Sequence, residues 1–161
     1  MVTIPPDIRK MMRDQKFIVV GSVDPNGVAN ISPRTAFHFT DDAIYWLDFF
    51  KHKSQGNFQV IPWVSVAVFD KKQLKGFQIK GKVSLVSDQD KKKKITEMIF
   101  RSVTGKTSSK VFERLSQNKH PDVVVFWPKV LYSLDPQEES GKAMEHDKEG
   151  ETIALFGRIN S

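Results

Sequence analysis

The sequence predicts a mainly β domain with a few flanking helices, an α+β chain whose strands close into a small antiparallel barrel. Seven segments are rich in β-branched and aromatic residues or alternate apolar with polar positions, as strands do. Most are joined by short turn signals, not by the crossover helices of a parallel sheet. Closing such strands into a barrel leaves no exposed edge.

Taken in order, Pro5 and Pro6 open a short helix in which Ile8, Met11 and Met12 form one apolar stripe. From Phe17 the pattern turns to FIVVGSV, a DPNG turn at Asp24–Gly27, VANISPRTAFHF, a TDD turn and AIYWLDFF, a three-strand meander. A short helix, SQGNFQVI, precedes WVSVAVFD, a polar KKQLK connection and GFQIKGKVSLVS. Ser87 or Asp88 caps the next helix, with Ile95, Met98, Ile99 and Val103 at helical spacing up to Gly105. A shorter helix follows Ser108 or Ser109 and carries Val111, Phe112 and Leu115. DVVVFWP and KVLYSLD read as a sixth and a seventh strand, broken or bulged at Pro128. Residues 136–161 are polar and acidic until IALF, and read as a mobile tail whose end docks. The 161 residues suit a single domain, 1–161, with that acidic segment at its end.

Composition narrows the function. The absence of cysteine excludes disulfides, thiolate metal sites and cysteine nucleophiles, so redox chemistry requires a bound cofactor. Four histidines lacking HxxxH or HExxH spacing give no metal site. No apolar run approaches the ~20 residues of a membrane span. MVTIPPDIRKMM lacks a signal-like core with a cleavage site, so the expected location is cytoplasmic. The net charge of +6 is uneven: residues 136–161 carry −3, leaving +9 on the first 135. That surplus favours anionic partners, whether nucleic acid, an acidic surface or a phosphorylated small molecule.

The stretch FFKHKSQGNF, Phe49–Phe58, gathers cations and small polar residues where an apolar strand stops. Free N–H groups at the start of the following helix, with Lys51, Lys53 and Ser54, make a phosphate seat. A solvated KHK turn with Ser54 as an ordinary N-cap is the alternative. NISPRTAF places Ser32 and Arg34 on one strand face, and a guanidinium and an ammonium together grip a phosphate. Pro33 removes a ladder donor and marks a bulge or an edge.

DPNGVANISPRTAFHFTDDAIYWLDFFKHKSQGNFQVIPWVSVAVFD followed by GFQIKGKVSLV resembles the FMN-binding split-barrel proteins related to pyridoxamine 5'-phosphate oxidase, over about residues 5–90. The resemblance implies a split β-barrel homodimer with FMN at its interface. It implies that Ser32, Arg34, Lys53 and Ser54 hold the phosphate, and that backbone around Pro33–Thr35 and Asp48–Phe50 carries the ring. Lys51, His52 or Arg34 supplies charge beside the ring, Asn57 orients the phosphate loop or ribityl chain, and Gln78 of the neighbouring subunit approaches the ring. The oxidase itself ends in an arginine- and histidine-rich segment, whereas this chain ends in ETIALFGRINS, which puts oxidation of pyridoxamine phosphate in doubt. The implied function is that of a small FMN-dependent oxidoreductase with an unknown small-molecule electron donor or acceptor and no assigned acid or base. Its alternatives are a non-catalytic flavin-binding or electron-transfer protein, a deazaflavin or haem user of the same fold, and a basic β-barrel binding single-stranded nucleic acid through Lys71, Lys72, Lys75, Lys80, Lys82 and Lys91–Lys94. Lysine runs at helix starts are usually solvated faces, which weakens the last.

Overall fold

The computed structural model describes residues 1–49, 53–103, 121–138 and 141–156, without the side chains of residues 53–55 and 155–156. Its elements run α1 (Pro6–Gln15), β1 (Ile18–Val23), β2 (Ala29–Arg34), β3 (Phe37–Phe39), β4 (Ile44–Asp48), α2 (Lys53–Val60), β5 (Trp63–Asp70), β6 (Lys75–Leu85), α3 (Gln89–Val103), β7 (Asp122–Ser133), β8 (Ala143–His146) and α4 (Lys148–Phe156).

The strands form one antiparallel sheet in the order β2-β1-β5-β6-β7-β4-β3, with β8 added to β7. β2 and β3 lie at opposite ends of this path yet are linked by Thr35 and Ala36 alone. Two residues span only about 7 Å beyond their flanks, so the sheet must curl until its ends meet. This is the half-open barrel expected from the sequence, but the three-strand meander is not. β1 pairs with β2 and β5, whereas β4 pairs with β3 and β7. The segment read as one strand, VANISPRTAFHF, is two, each belonging to a different end of the sheet.

The turns have local causes. Asp24 Oδ1 accepts from the Asn26 and Val28 N–H groups at 2.9 Å each, and Gly27 supplies φ +81°. Asp70 Oδ1 does the same for Lys72 and Gln73 in the KKQLK connection. Asp88, not Ser87, caps α3 by accepting from Lys91 N–H at 2.6 Å.

Inside the barrel Val20, Val66, Ile79, Phe126 and Leu131 pack around Trp46, and α1 contributes Ile8 and Met12. α3 lies outside, burying Ile95 and Ile99 against Leu47 and Val123. The two segments read from DVVVFWP and KVLYSLD are one twelve-residue strand, β7. Pro128 does not end it. The register shifts there, Gly81 facing Pro128 while Lys80 faces Val130, so Lys129 is an extra, bulged residue. The expected mobile tail takes regular structure in its described part: β8 and α4 pack on β7, with Ala154 against Val130 and Tyr132. Asp147 caps α4, accepting from Glu149 and Gly150 N–H groups at 3.0 and 2.9 Å. The helix expected after Ser108 or Ser109 lies outside the described residues.

Candidate functional site

Pairing partners in an antiparallel ladder share a face. Ser32 pairs with Val20 and Arg34 with Ile18, both buried, so Ser32 and Arg34 share a face, and that face points into the barrel. Trp46 is buried in the same core, and Asp48 follows two residues later on that face of β4. The curl that joins β2 to β3 brings Arg34 to Asp48: Nη2 and Oδ2 are 3.7 Å apart, with the side chains 18% and 4% exposed. Burial pulls the Arg34 guanidinium below its ordinary value, and the charge of Asp48 opposes that shift. Arg34 Nη1 also donates to the Pro33 carbonyl at 3.5 Å.

Buried polar atoms normally have partners. Here Ser32 Oγ, Arg34 Nε, Asp48 Oδ2 and Trp46 Nε1 are buried and have no hydrogen-bond partner among the described residues, Asp48 Oδ2 keeping only its longer ion pair with Arg34. One strand further along, Asn57 of α2 donates to Ser22 Oγ at 3.2 Å, and both are buried. Asn57 therefore ties α2 to β1. α2 starts at Lys53, so Ser54 stands within its first turn and is not its N-cap. Phe49 is buried with α3 against Leu47. Phe50 and Lys51 lie outside the described residues, as do the side chains of Lys53 and Ser54.

Beside this junction lies a cavity of about 440 Å³ between α1, β3 and the end of α3. Met12, Phe37 and Phe39 line it, with Arg13, Lys16, His38 and Ser102 among its polar groups and Thr35 at its β2 end. No carboxylate lines it among the described residues. Arg13 lies over the Phe39 ring at 5.9 Å, and the His38 ring stacks on the same residue at 6.3 Å. Burial pushes the His38 imidazole below its ordinary value, so it is neutral at pH 7. β3 is the last strand of the path, and among the described residues its far edge carries no ladder partner, although Ser102 Oγ of α3 donates to the Phe37 carbonyl at 3.2 Å. The sequence reading missed Arg13, Lys16 and His38. Arg13 and Lys16 sit on a helix read only for its apolar stripe, and no local pattern tells which sheet edge that helix will flank.

Gln78 is elsewhere. It faces outward from β6, since Ile79 and Val83 face the core, so it joins no group of its own chain at this junction. The lysine run is not wholly solvated either: Lys92 Nζ donates to Asp122 Oδ1 at 3.3 Å, and Asp122 pairs across β4 with Asp48. Among the described residues no three metal-binding side chains converge, and no helix is long and apolar enough to cross a membrane.

This architecture has relatives. A family model described as pyridoxamine 5'-phosphate oxidase matches residues 4–132. The chain belongs to the pyridoxamine 5'-phosphate oxidase family. Among solved structures, HupZ of Group A Streptococcus is 13% identical, with a TM-score of 0.64 over 83% of this chain and 95% of that one. A protein of Clostridium acetobutylicum related to general stress protein 26 is 12% identical, with a TM-score of 0.65 over 82% and 88%. HutZ, the haem storage protein of Vibrio cholerae, is 18% identical, with a TM-score of 0.61 over 82% and 94%. At these identities the likeness is one of fold. Comparison with curated protein sequences gives no match.

Proposed function

We propose that this chain binds FMN at the β2–β3 junction and acts as a small flavin-dependent oxidoreductase with a small-molecule electron donor or acceptor. The observation that carries this reading is the edge of β3 that has no ladder partner among the described residues, beside the 440 Å³ cavity lined by Thr35 of the β2–β3 link and by Phe37, His38 and Phe39. An unpaired strand edge offers backbone donors and acceptors, which suit a planar ring whose rim alternates the same groups. The orphaned Ser32 Oγ, Arg34 Nε and Asp48 Oδ2 fit a polar chain leaving that ring. The phosphate belongs at the N-terminal end of α2, where Lys53 and Ser54 stand.

Bound flavin supplies the electron transfer, and the protein supplies placement and electrostatics. Met12, Phe37 and Phe39 keep water from the cavity, Arg13 and Lys16 supply positive potential at its rim, and neutral His38 donates or accepts a hydrogen bond. A homodimer completes the reading, because the outward position of Gln78 on β6 leaves it available to a second subunit.

FMN titration tests it. The ligand-free protein should bind FMN at least about tenfold more tightly than riboflavin, as expected when a phosphate meets charge-assisted donors. Flavin fluorescence unchanged at high protein concentration would refute the flavin reading. A single-stranded oligonucleotide in the same series checks the nucleic-acid alternative. One observation favours a second reading: His38 lines the cavity beside Met12, Phe37 and Phe39, where burial lowers its imidazole and so favours the neutral form that ligates haem iron. Haemin added to wild-type protein and to His38→Ala distinguishes the two by its Soret band.

A further inference from the structure

α1 and its C-cap carry Arg9, Lys10, Arg13 and Lys16, and these cations differ in what they meet. Arg9 pairs with Asp41 and Lys10 with Asp14. Arg13 and Lys16 have no carboxylate partner among the described residues, and both line the 440 Å³ cavity beside β3. Met12 and Phe37, 0% and 7% exposed, give that cavity an apolar floor, and Arg13 lies over the Phe39 ring at its side. Cations in the last turn of a helix offset its own negative end, which is the ordinary reason to find them there. Here the charges do not balance on that ground alone. α1 and α3 end beside the cavity at Gln15 and Val103, and two helix ends together carry about one negative charge. Two full positive charges therefore leave about one in excess. His38 adds none, because burial favours its neutral form, and Ser102 Oγ already donates to the Phe37 and Ile99 carbonyls at 3.2 and 2.7 Å. A cavity of about 400 Å³ reached from other positions of α1 has the opposite character, lined by Asp7, Asp14, Asp70, Asp135 and Glu138. The positive cavity is thus a local feature and not a sample of the chain's general charge.

We infer that this cavity binds a small aromatic monocarboxylate, its ring against Met12, Phe37 and Phe39 and its carboxylate on Arg13 and Lys16. A planar carboxylate suits the guanidinium fork, and a single negative charge matches the excess. A volume of about 440 Å³ lies within the range of small-molecule sites and takes a fused bicyclic ring. A phosphate dianion would bring one charge more than the cavity balances. The inference deepens the flavin reading by giving the class of its small-molecule partner, and it rests on that reading only in this respect, since protein groups alone hold the carboxylate.

Titration of the flavin-free full-length protein tests this with 2-naphthoate, its neutral analogue 2-naphthamide and 2-naphthyl phosphate. Naphthyl fluorescence reports affinity, and nitrogen-15 NMR of the His38 imidazole reports the place of binding. 2-Naphthoate should shift the His38 signals and bind at least about tenfold more tightly than 2-naphthamide, as charge-assisted hydrogen bonds imply. 2-Naphthyl phosphate should bind no more tightly than 2-naphthoate. Arg13→Gln and Lys16→Gln should each weaken 2-naphthoate about fivefold, the upper size of an exposed ion pair, and leave 2-naphthamide unchanged. Lys10→Gln, which removes a cation already paired with Asp14, should alter neither. Equal affinity for acid and amide, equal losses in the three variants, tighter binding of the phosphate, or binding that leaves the His38 signals in place overturns the inference. Absence of 2-naphthoate binding overturns it as well, and the flavin reading then stands or falls on its own FMN titration. 2-Naphthoate bound as expected by a protein that takes no FMN sinks the flavin reading and leaves the carboxylate pocket standing.

Discussion

Two charged clusters sit on opposite faces of the barrel wall, and they are built on opposite terms. On the outside, Lys129 Nζ lies 3.1 Å from both Asp147 and Glu149, and Lys82 lies 3.2 Å from Glu149. This cluster fastens α4 over the β7 bulge, where Gly150 rides directly on the Lys129 carbonyl. On the inside, Arg34 and Asp48 are deeper, farther apart and short of partners. The outer cluster holds a terminal element in place. The inner one is incomplete by itself, and incompleteness in a buried polar group marks a place prepared for something else. A count of ion pairs would rank the outer cluster first, whereas unsatisfied burial identifies the inner one as the functional candidate.

The sharpest way to break this contrast is to empty one half of the inner pair. Arg34→Met strands a buried carboxylate and should lower unfolding free energy by about 3 kcal/mol, while Arg34→Met combined with Asp48→Leu should recover to within about 1 kcal/mol of wild type or exceed it. Denaturant unfolding of both variants measures this, and equal losses would show that the pair is no more demanding than a surface one. Gly150→Ala comes next, because its Cβ would lie 2.0 Å from the Lys129 carbonyl oxygen. Backbone cannot yield as a side chain would, so a loss of about 2 kcal/mol is expected, with the ratio of FMN to riboflavin affinity unchanged.

Acid sharpens the comparison further. Burial works to raise the Asp147 carboxyl, but the Gly150 N–H and the Lys129 ammonium outweigh it and hold it below its ordinary value; hydrogen bonds from Lys129 and Lys82 lower Glu149 likewise. A depressed carboxyl stabilises the fold above its unfolded pKa and loses that contribution as pH falls through the folded value. α4 should therefore loosen as pH drops below about 4. Burial alone would lower Lys129, yet its hydrogen bonds to Asp147 and Glu149 leave it raised, so its share is present below the ordinary lysine value and lost only as pH rises through the higher folded one. Thermal melts at pH 7 and pH 3 should differ less in Asp147→Asn than in wild type, since the amide keeps the cap and drops the titration. The smallest effect belongs to Lys10→Ala: its pair with Asp14 is exposed and worth under about 0.5 kcal/mol, and flavin affinity should not move.

Much of this was legible before any coordinates. The DPNG turn, the proline-led α1, the α2 segment and the strands from WVSVAVFD to GFQIKGKVSLV follow from side-chain period and turn chemistry, which act over a few residues. Ser32 and Arg34 on one face of a strand follow from the period of two. Asp48 reads from the sequence only as part of a strand end, and the pairing with Arg34 comes from the fold. β7 shows the limit in another form: Pro128 reads as a break or a bulge, and the ladder decides for the bulge, with pairing on both sides carrying the strand through it. The acidic composition of residues 136–161 suggested a loose tail because the bulge that receives Asp147 and Gly150 lies on another strand.

By itself, then, the sequence determined the local elements, the turns between them and the supply of cations and small polar residues around Arg34 and Lys53. Tertiary structure decided which strands are neighbours, that Arg34 meets Asp48, that α1 brings Arg13 and Lys16 to the edge of β3, and which buried atoms remain unsatisfied. The physical reason is range. Dihedral preferences and alternation are settled within a turn or a strand, whereas the order β2-β1-β5-β6-β7-β4-β3 is settled by burying one core from strands more than a hundred residues apart.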